Sequence, residues 1–263
     1  MIPFDIVYRR PESVEEAVSA WRGDPENSLY YAGGTEIVTG ARTGTYRLGI
    51  LVDIKRLPEC REIGARGDRL YYGAGFSLNE IVEDGSFPLL SAAARRVADH
   101  TVRNRITLGG NVAGRLPYRE ALLPFLAADG AAHLAGPDRS GGVGRRTVPI
   151  RELQAKRLVL GPGEFIVGLS IPAEAALLPF FHDRATAGPE IDYPIFSLSV
   201  VAFPGGVSAA ISGYLDWPVR IGVKSGVPSV DSFPAPRGDA RASREYRFEL
   251  LRASLARAEE ALE

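Results

Sequence analysis

Apolar residues recur along this chain at two spacings, and the switches between them divide it into three stretches. In the first, Val14, Ala17, Val18 and Trp21 make one helix face, opened by the capping-box pair Ser13 and Glu16 and closed at Gly23. Ser28–Ala32 reads as a strand, Thr35–Ala41 as a helix and Gly49–Ile54 as a buried strand. The pattern predicts a small α/β unit over residues 1–55.

Residues 56–176 mix both periods. Leu70–Gly73 is a strand, Ser77 and Glu80 form a second capping box for a helix through Glu83, and Leu89–Ala98 is helical by composition. Tyr118–Ala128 predicts a helix kinked at Pro124. Strands follow at Ala131–Leu134, Thr147–Ile150 and Glu164–Ile171, with glycine-rich Gly136–Gly144 as a flexible hairpin tip. Residues 177–263 open with strands at Leu178–His182, Phe196–Phe203, Val207–Ser212 and Pro218–Val223. After the Pro/Gly-rich Gly226–Gly238, a helix is predicted over Ala242–Leu262. Tyr246, Leu250, Leu251, Leu255, Ala258 and Leu262 form its packing stripe. The fold class is α+β.

Composition narrows the chemistry. A formal charge of −1 gives no electrostatic case for nucleic acid or an anionic membrane. No apolar run approaches the roughly 18 residues of a membrane span, and the first residues show no signal-peptide core, so a cytoplasmic protein is expected. Cys60 is the only cysteine, which excludes an internal disulfide or a Cys₄ iron–sulfur cluster. His100, His133 and His182 are too scattered for a zinc motif. No Ser/His/Asp or Cys/His arrangement is recognisable.

Two of the chain's four Gly-Gly pairs follow strand-like runs: Gly33-Gly34 in YYAGGTEI and Gly109-Gly110 in RITLGGN. With 29 glycines, about three pairs arise by chance, so the flanks decide. A Gly-Gly loop lets main-chain N–H groups approach an anion, and a following helix start adds its positive end. Two such loops could hold the two phosphates of a dinucleotide; equally, each could be an ordinary strand–turn–helix connection. Neither is a G-x-G-x-x-G or a P-loop.

Ala32-Gly33-Gly34-Thr35-Glu36-Ile37, Val102-Arg103-Asn104 and Thr107-Leu108-Gly109-Gly110-Asn111, with Pro117 and Glu120 beyond, resemble the FAD-binding subunit of the molybdenum hydroxylases. These are the enzymes of xanthine dehydrogenase and carbon monoxide dehydrogenase type. The resemblance continues through Pro162–Pro172, Ile191–Ala202 and Asp239–Arg247, nearly the whole chain. It implies a two-lobed FAD-binding fold: an N-terminal lobe at 1–55, a larger lobe at 56–176, and a C-terminal domain at 177–263. It implies FAD as cofactor, held at Ala32–Ile37 and Thr107–Asn111. Val97 and Ile166 would then be apolar neighbours of the flavin, Glu120 would stand where Asp is usual, and Arg184 where a lysine beside the isoalloxazine is usual. Gly188 and Asp192 fall on further motif positions. Tyr30 and Tyr31 are placed either on the adenine side or in the core. By the same resemblance the partners are a molybdopterin-binding large subunit and a [2Fe–2S] small subunit. Electrons would leave the iron–sulfur chain through FAD to an external acceptor. The alternatives are a relative that keeps the fold without FAD, or a self-contained flavin oxidoreductase.

Overall fold

The structure, a computed structural model, describes residues 2–153, 158–188 and 192–263. Ile191, which opens one of the segments singled out above, lies outside them.

The first unit alternates strand and helix: β1 (Val7–Arg9), α1 (Val14–Arg22), β2 (Ser28–Tyr31), α2 (Thr35–Arg42) and β3 (Ile50–Asp53). Its strands are parallel in the order β1-β3-β2, so the last strand lies between the first two. Parallel neighbours need crossovers, and α1 and α2 supply them. Val14, Ala17 and Val18 pack on one face of this sheet, Ile37 and Ala41 on the other. Ser13 caps α1 by accepting from Glu16 N at 3.1 Å, and the Glu16 carboxylate reaches back to Glu12 N at 2.8 Å.

A five-stranded antiparallel sheet follows, ordered β4 (Ile63–Arg66), β5 (Arg69–Gly73), β8 (Phe165–Pro172), β6 (Ala131–Pro137) and β7 (Val143–Pro149). Between β5 and β6 run five helices: α3 (Leu78–Asp84), α4 (Pro88–Arg95), α5 (His100–Arg103), α6 (Leu108–Ala113) and α7 (Leu122–Ala127). The capping box of Ser77 and Glu80 opens α3 as its spacing predicts. The main core lies between these helices and the sheet, with Leu78, Leu90, Leu108, Phe125 and Leu169 fully buried.

Two expectations are corrected, for the helix at 118–128 and the second glycine pair, while the hairpin predicted at 136–144 joins β6 to β7. The helix at 118–128 begins only at Leu122, so Pro124 falls in its first turn. There its missing N–H has no intrahelical partner to lose, and it kinks nothing. The tip at 136–144 is a closed turn, because Asp138 Oδ1 accepts from Ser140 N at 2.9 Å and Gly142 N at 2.7 Å. The second glycine pair is helical, inside α6.

The last unit is an antiparallel meander of β9 (Phe180–Ala185), β10 (Phe196–Phe203), β11 (Gly206–Ser212) and β12 (Val219–Val223). One face packs on α7, and α8 (Arg244–Leu262) covers the other through Leu251, Leu255 and Ala258. Tyr246, on the predicted stripe, is instead 52% exposed. Arg247 is fully buried: its guanidinium donates to Arg237 O, Ile195 O and Asp239 Oδ1 at 3.1, 3.4 and 2.8 Å. That set anchors α8 to the loop before it.

Candidate functional site

β2 ends at Tyr31 and the chain turns through Gly34, whose φ of 73° is the left-handed conformation that glycine tolerates. No side chain caps α2 behind it. Among the described residues, the N–H groups of Thr35, Glu36 and Ile37 find no acceptor in the chain. An uncapped helix start with orphan donors at the positive end of its dipole suits an anion. Thr35 is exposed there, and Ala32, Gly33 and Gly34 are half-buried.

Gly33 has a different reason to be glycine. A Cβ on it would lie 1.9 Å from Arg105 O, so the segment before α6 presses its main chain directly against the turn. Tyr31 lies against Gly34 on the other side, and Lys55 Nζ stands 3.9 Å over the Tyr31 ring while pairing with Asp53 Oδ2 at 2.7 Å. Burial pushes the Asp53 carboxyl up, but its bonds to Lys55 and the Tyr8 hydroxyl outweigh that and hold it below the usual range. Tyr30, one residue earlier, points the opposite way. Its ring packs at a tilt against Phe165 with centroids 4.4 Å apart, and its hydroxyl is buried with no partner among the described residues. Only Tyr31 therefore adjoins the glycine turn.

In the second motif most donors are already engaged. Leu108 N donates to Phe76 O at 2.8 Å, Gly109 N to Ala74 O at 2.9 Å and Asn111 N to Thr107 O at 2.8 Å. Thr107 caps α6 by accepting from Gly110 N at 3.2 Å, the longest of these bonds. A Cβ on Gly109 would sit 2.7 Å from the Ala74 Cβ, so this glycine serves packing. Gly110 is exposed and its Cβ would meet only Thr107 Oγ1. Gly110 N is thus the donor of this motif that a ligand can compete for. Asn111 Oδ1 accepts from Ala121 N at 2.9 Å, and Glu36 accepts from Arg115 N at 3.1 and 3.2 Å through its two oxygens.

Glu120 and Arg184 come together. Arg184 Nε donates to Glu120 Oε1 at 2.6 Å and Nη2 donates to Asp192 O at 2.5 Å; Ser197 Oγ adds a 3.1 Å bond to Glu120. Both side chains are nearly enclosed. Burial pushes the Glu120 carboxyl up, against the pull of Arg184 and Ser197. Val97 and Ile166 lie in the main core at 6% and 4% exposure, as does Leu108. Gly188 O accepts from the Thr186 hydroxyl at 2.8 Å. Beside Glu120, Tyr118 stacks on Tyr193 with ring centroids 5.0 Å apart, a pair with no local signal in the sequence because the partners are 75 residues apart.

A family described as the FAD binding domain in molybdopterin dehydrogenase matches residues 3–174, which hold both glycine motifs. The chain belongs to that family. FAD is the cofactor of these FAD-binding domains, and the uncapped α2 turn fits the anionic part of such a ligand. The chain is similar to the carbon monoxide dehydrogenase medium chain of Hydrogenophaga pseudoflava, 32% identical over 66% of this chain and 61% of that one. It is 25% identical to the medium chain of the same enzyme from Afipia carboxidovorans over 99% of this chain and 97% of that one. A crystal structure of Cu,Mo-CO dehydrogenase in its cyanide-inactivated form shares the fold, with a TM-score of 0.85, 22% identity and coverage of 100% and 99%. The relatives are oxidoreductase chains, medium subunits of multi-subunit enzymes. No helix among the described residues is long and apolar enough to cross a membrane.

Proposed function

We propose that this FAD-binding domain is the electron-transfer subunit of a molybdenum hydroxylase. Its electrons come from a [2Fe–2S] partner chain, itself served by a molybdopterin-binding chain, and leave for an external acceptor. FAD, when bound, supplies exchange between a one-electron donor and a two-electron acceptor. The observation that carries the reading is the Gly33-Gly34 turn with three orphan amides, pressed against the segment that leads into Gly109-Gly110.

In this reading the amides of Thr35, Glu36 and Ile37 and the Thr35 hydroxyl hold the pyrophosphate, with Gly110 N as a further donor. Tyr31, fixed by Lys55, walls the turn. Thr107 and Asn111 hold α6 in place, while Val97 and Ile166 keep the neighbouring core dry. The Glu120–Arg184 pair sets a charge-balanced polar wall. The units at 1–55 and 56–176 act together, since each holds one glycine motif, and the unit at 177–263 joins them through the bond of Arg184 to Glu120. In this reading the choice of organic substrate belongs to the molybdopterin-binding partner.

Titration of the purified chain with FAD tests the reading. One FAD per chain, released on denaturation with its visible absorbance intact, is the expected result. A chain that stays colourless in excess FAD would refute cofactor binding. Reduction of the bound flavin only in the presence of a reduced [2Fe–2S] chain would support the electron route.

A further inference from the structure

Glu36 opens α2 two residues after Gly34, where an acidic side chain would repel a bound pyrophosphate if it faced the same way as the main-chain donors. Its carboxylate turns elsewhere. Both oxygens accept from the single N–H of Arg115, at 3.1 and 3.2 Å, across 79 positions of sequence. Oε2 lies so near Gly114 that a Cβ there would stand 3.5 Å from it.

The segment so held leads directly to Glu120. Gly114 O accepts from Arg119 Nε at 2.8 Å, and Arg119 is 3% exposed with a φ of 34°, left-handed for a residue with a side chain. Such a conformation persists only where its surroundings fix it. Glu36 acts electrostatically on Arg119 as well as bonding to the Arg115 main chain. One carboxylate thus ties the first glycine turn to the stretch from Gly114 to Glu120, while Gly33 meets Arg105 on the other side of α6.

We infer that Glu36 is a positioning residue: a strut whose bond to the Arg115 N–H sets the spacing between the Gly33-Gly34 turn and the Gly114–Glu120 segment, rather than a contact to the cofactor. The inference rests on the proposed FAD site for its consequence, but the strut itself belongs to the chain alone. A bond to one N–H needs an acceptor, not a charge, so glutamine preserves it and alanine abolishes it.

The test compares Glu36→Gln and Glu36→Ala in the full chain by two readouts. The first is hydrogen exchange of the Arg115 amide without FAD. The second is FAD affinity, from fluorescence quenching on titration with FAD. Thermal melts check that both variants fold. The alanine variant is expected to exchange Arg115 at least about tenfold faster and to bind FAD about tenfold more weakly, as befits loss of the hydrogen bond that sets the spacing. The glutamine variant is expected to stay within about threefold of wild type in both. Alanine with near wild-type exchange and affinity would overturn the inference, and so would glutamine as impaired as alanine. If wild type binds no FAD, the cofactor reading falls while the exchange data still decide whether the strut exists.

Discussion

Arg184 and Glu120 neutralise each other 64 positions apart in sequence, through a 2.6 Å bond between side chains 9% and 6% exposed. The family resemblance gives each a separate contact with the cofactor. Geometry makes them partners, so the positive charge of Arg184 reaches its surroundings largely cancelled. A buried pair of this kind is weak evidence for net stability, but removing one member leaves the other uncompensated.

Arg184→Gln should therefore cost about 3 kcal/mol of folding stability, and Arg184→Gln with Glu120→Gln should recover most of it. Denaturant unfolding of both single variants and the double variant measures the coupling. Additive losses would show that the pair is not energetically linked. The flavin potential should move little in Arg184→Gln, because Glu120, already pushed up by burial, takes a proton once its partner is gone.

Stability should fall on acidification below about pH 6.5. Burial lowers His133 and His182 to about 4, aided at His133 by Arg66 and Arg69 and at His182 by Arg96. Between the two values the unfolded chain binds protons that the folded chain refuses, so stability rises with pH across that window and is lost as pH falls through it. His133 is half-buried, so solvent screening reduces its effect to about 1–2 kcal/mol by pH 4, whereas His182 Nε2 is buried with no partner among the described residues and its contribution is expected to be the larger. Replacing either with glutamine should flatten a plot of unfolding free energy against pH.

Gly33→Ala and Gly110→Ala should separate packing from access. At 33 the new Cβ meets a carbonyl oxygen at 1.9 Å, and a loss of about 3 kcal/mol in stability is expected together with weaker FAD binding. At 110, inside α6, the helix propensity of alanine, up to about 1 kcal/mol, is offset by a Cβ 2.8 Å from the Thr107 hydroxyl that caps α6, so stability is expected to change little. Any loss of FAD affinity there, with an unchanged melting temperature, reports close approach of the ligand. Melting curves and FAD titrations on the two variants make the comparison.

Tyr30→Phe should stabilise the chain by up to about 1 kcal/mol, since it removes a buried hydroxyl with no partner among the described residues and keeps the tilted ring contact with Phe165. FAD affinity should not change. A tenfold loss of affinity would put Tyr30 at the ligand after all.

The parts of the fold legible in the sequence are those carried by local rules. The capping boxes at Ser13 and Ser77 start their helices where spacing puts them, and the buried run Phe165–Pro172 is the central strand of its sheet. Glycine propensity hid α6, because Gly109 and Gly110 disfavour a helix that packing against Ala74 nonetheless imposes. The turn at Gly34 and the helix start behind it were readable from the Gly-Gly step; the partners of their neighbours were not. Tyr30 and Tyr31 divide by strand alternation, while Glu36 and Arg184 take partners from segments that adjoin them only after folding.

The order β1-β3-β2 has a consequence for synthesis. β1 and β2 do not touch, and each gains its main-chain partners only from β3, the last of the three to be made. A nascent chain ending before Ile50 holds two strands and two helices with no sheet to join them. The Gly33-Gly34 turn is seated later still, when Arg105 leaves the ribosome and closes on it. The turn is thus completed late in translation, and a chaperone that held the first hundred residues would be holding a half-built one.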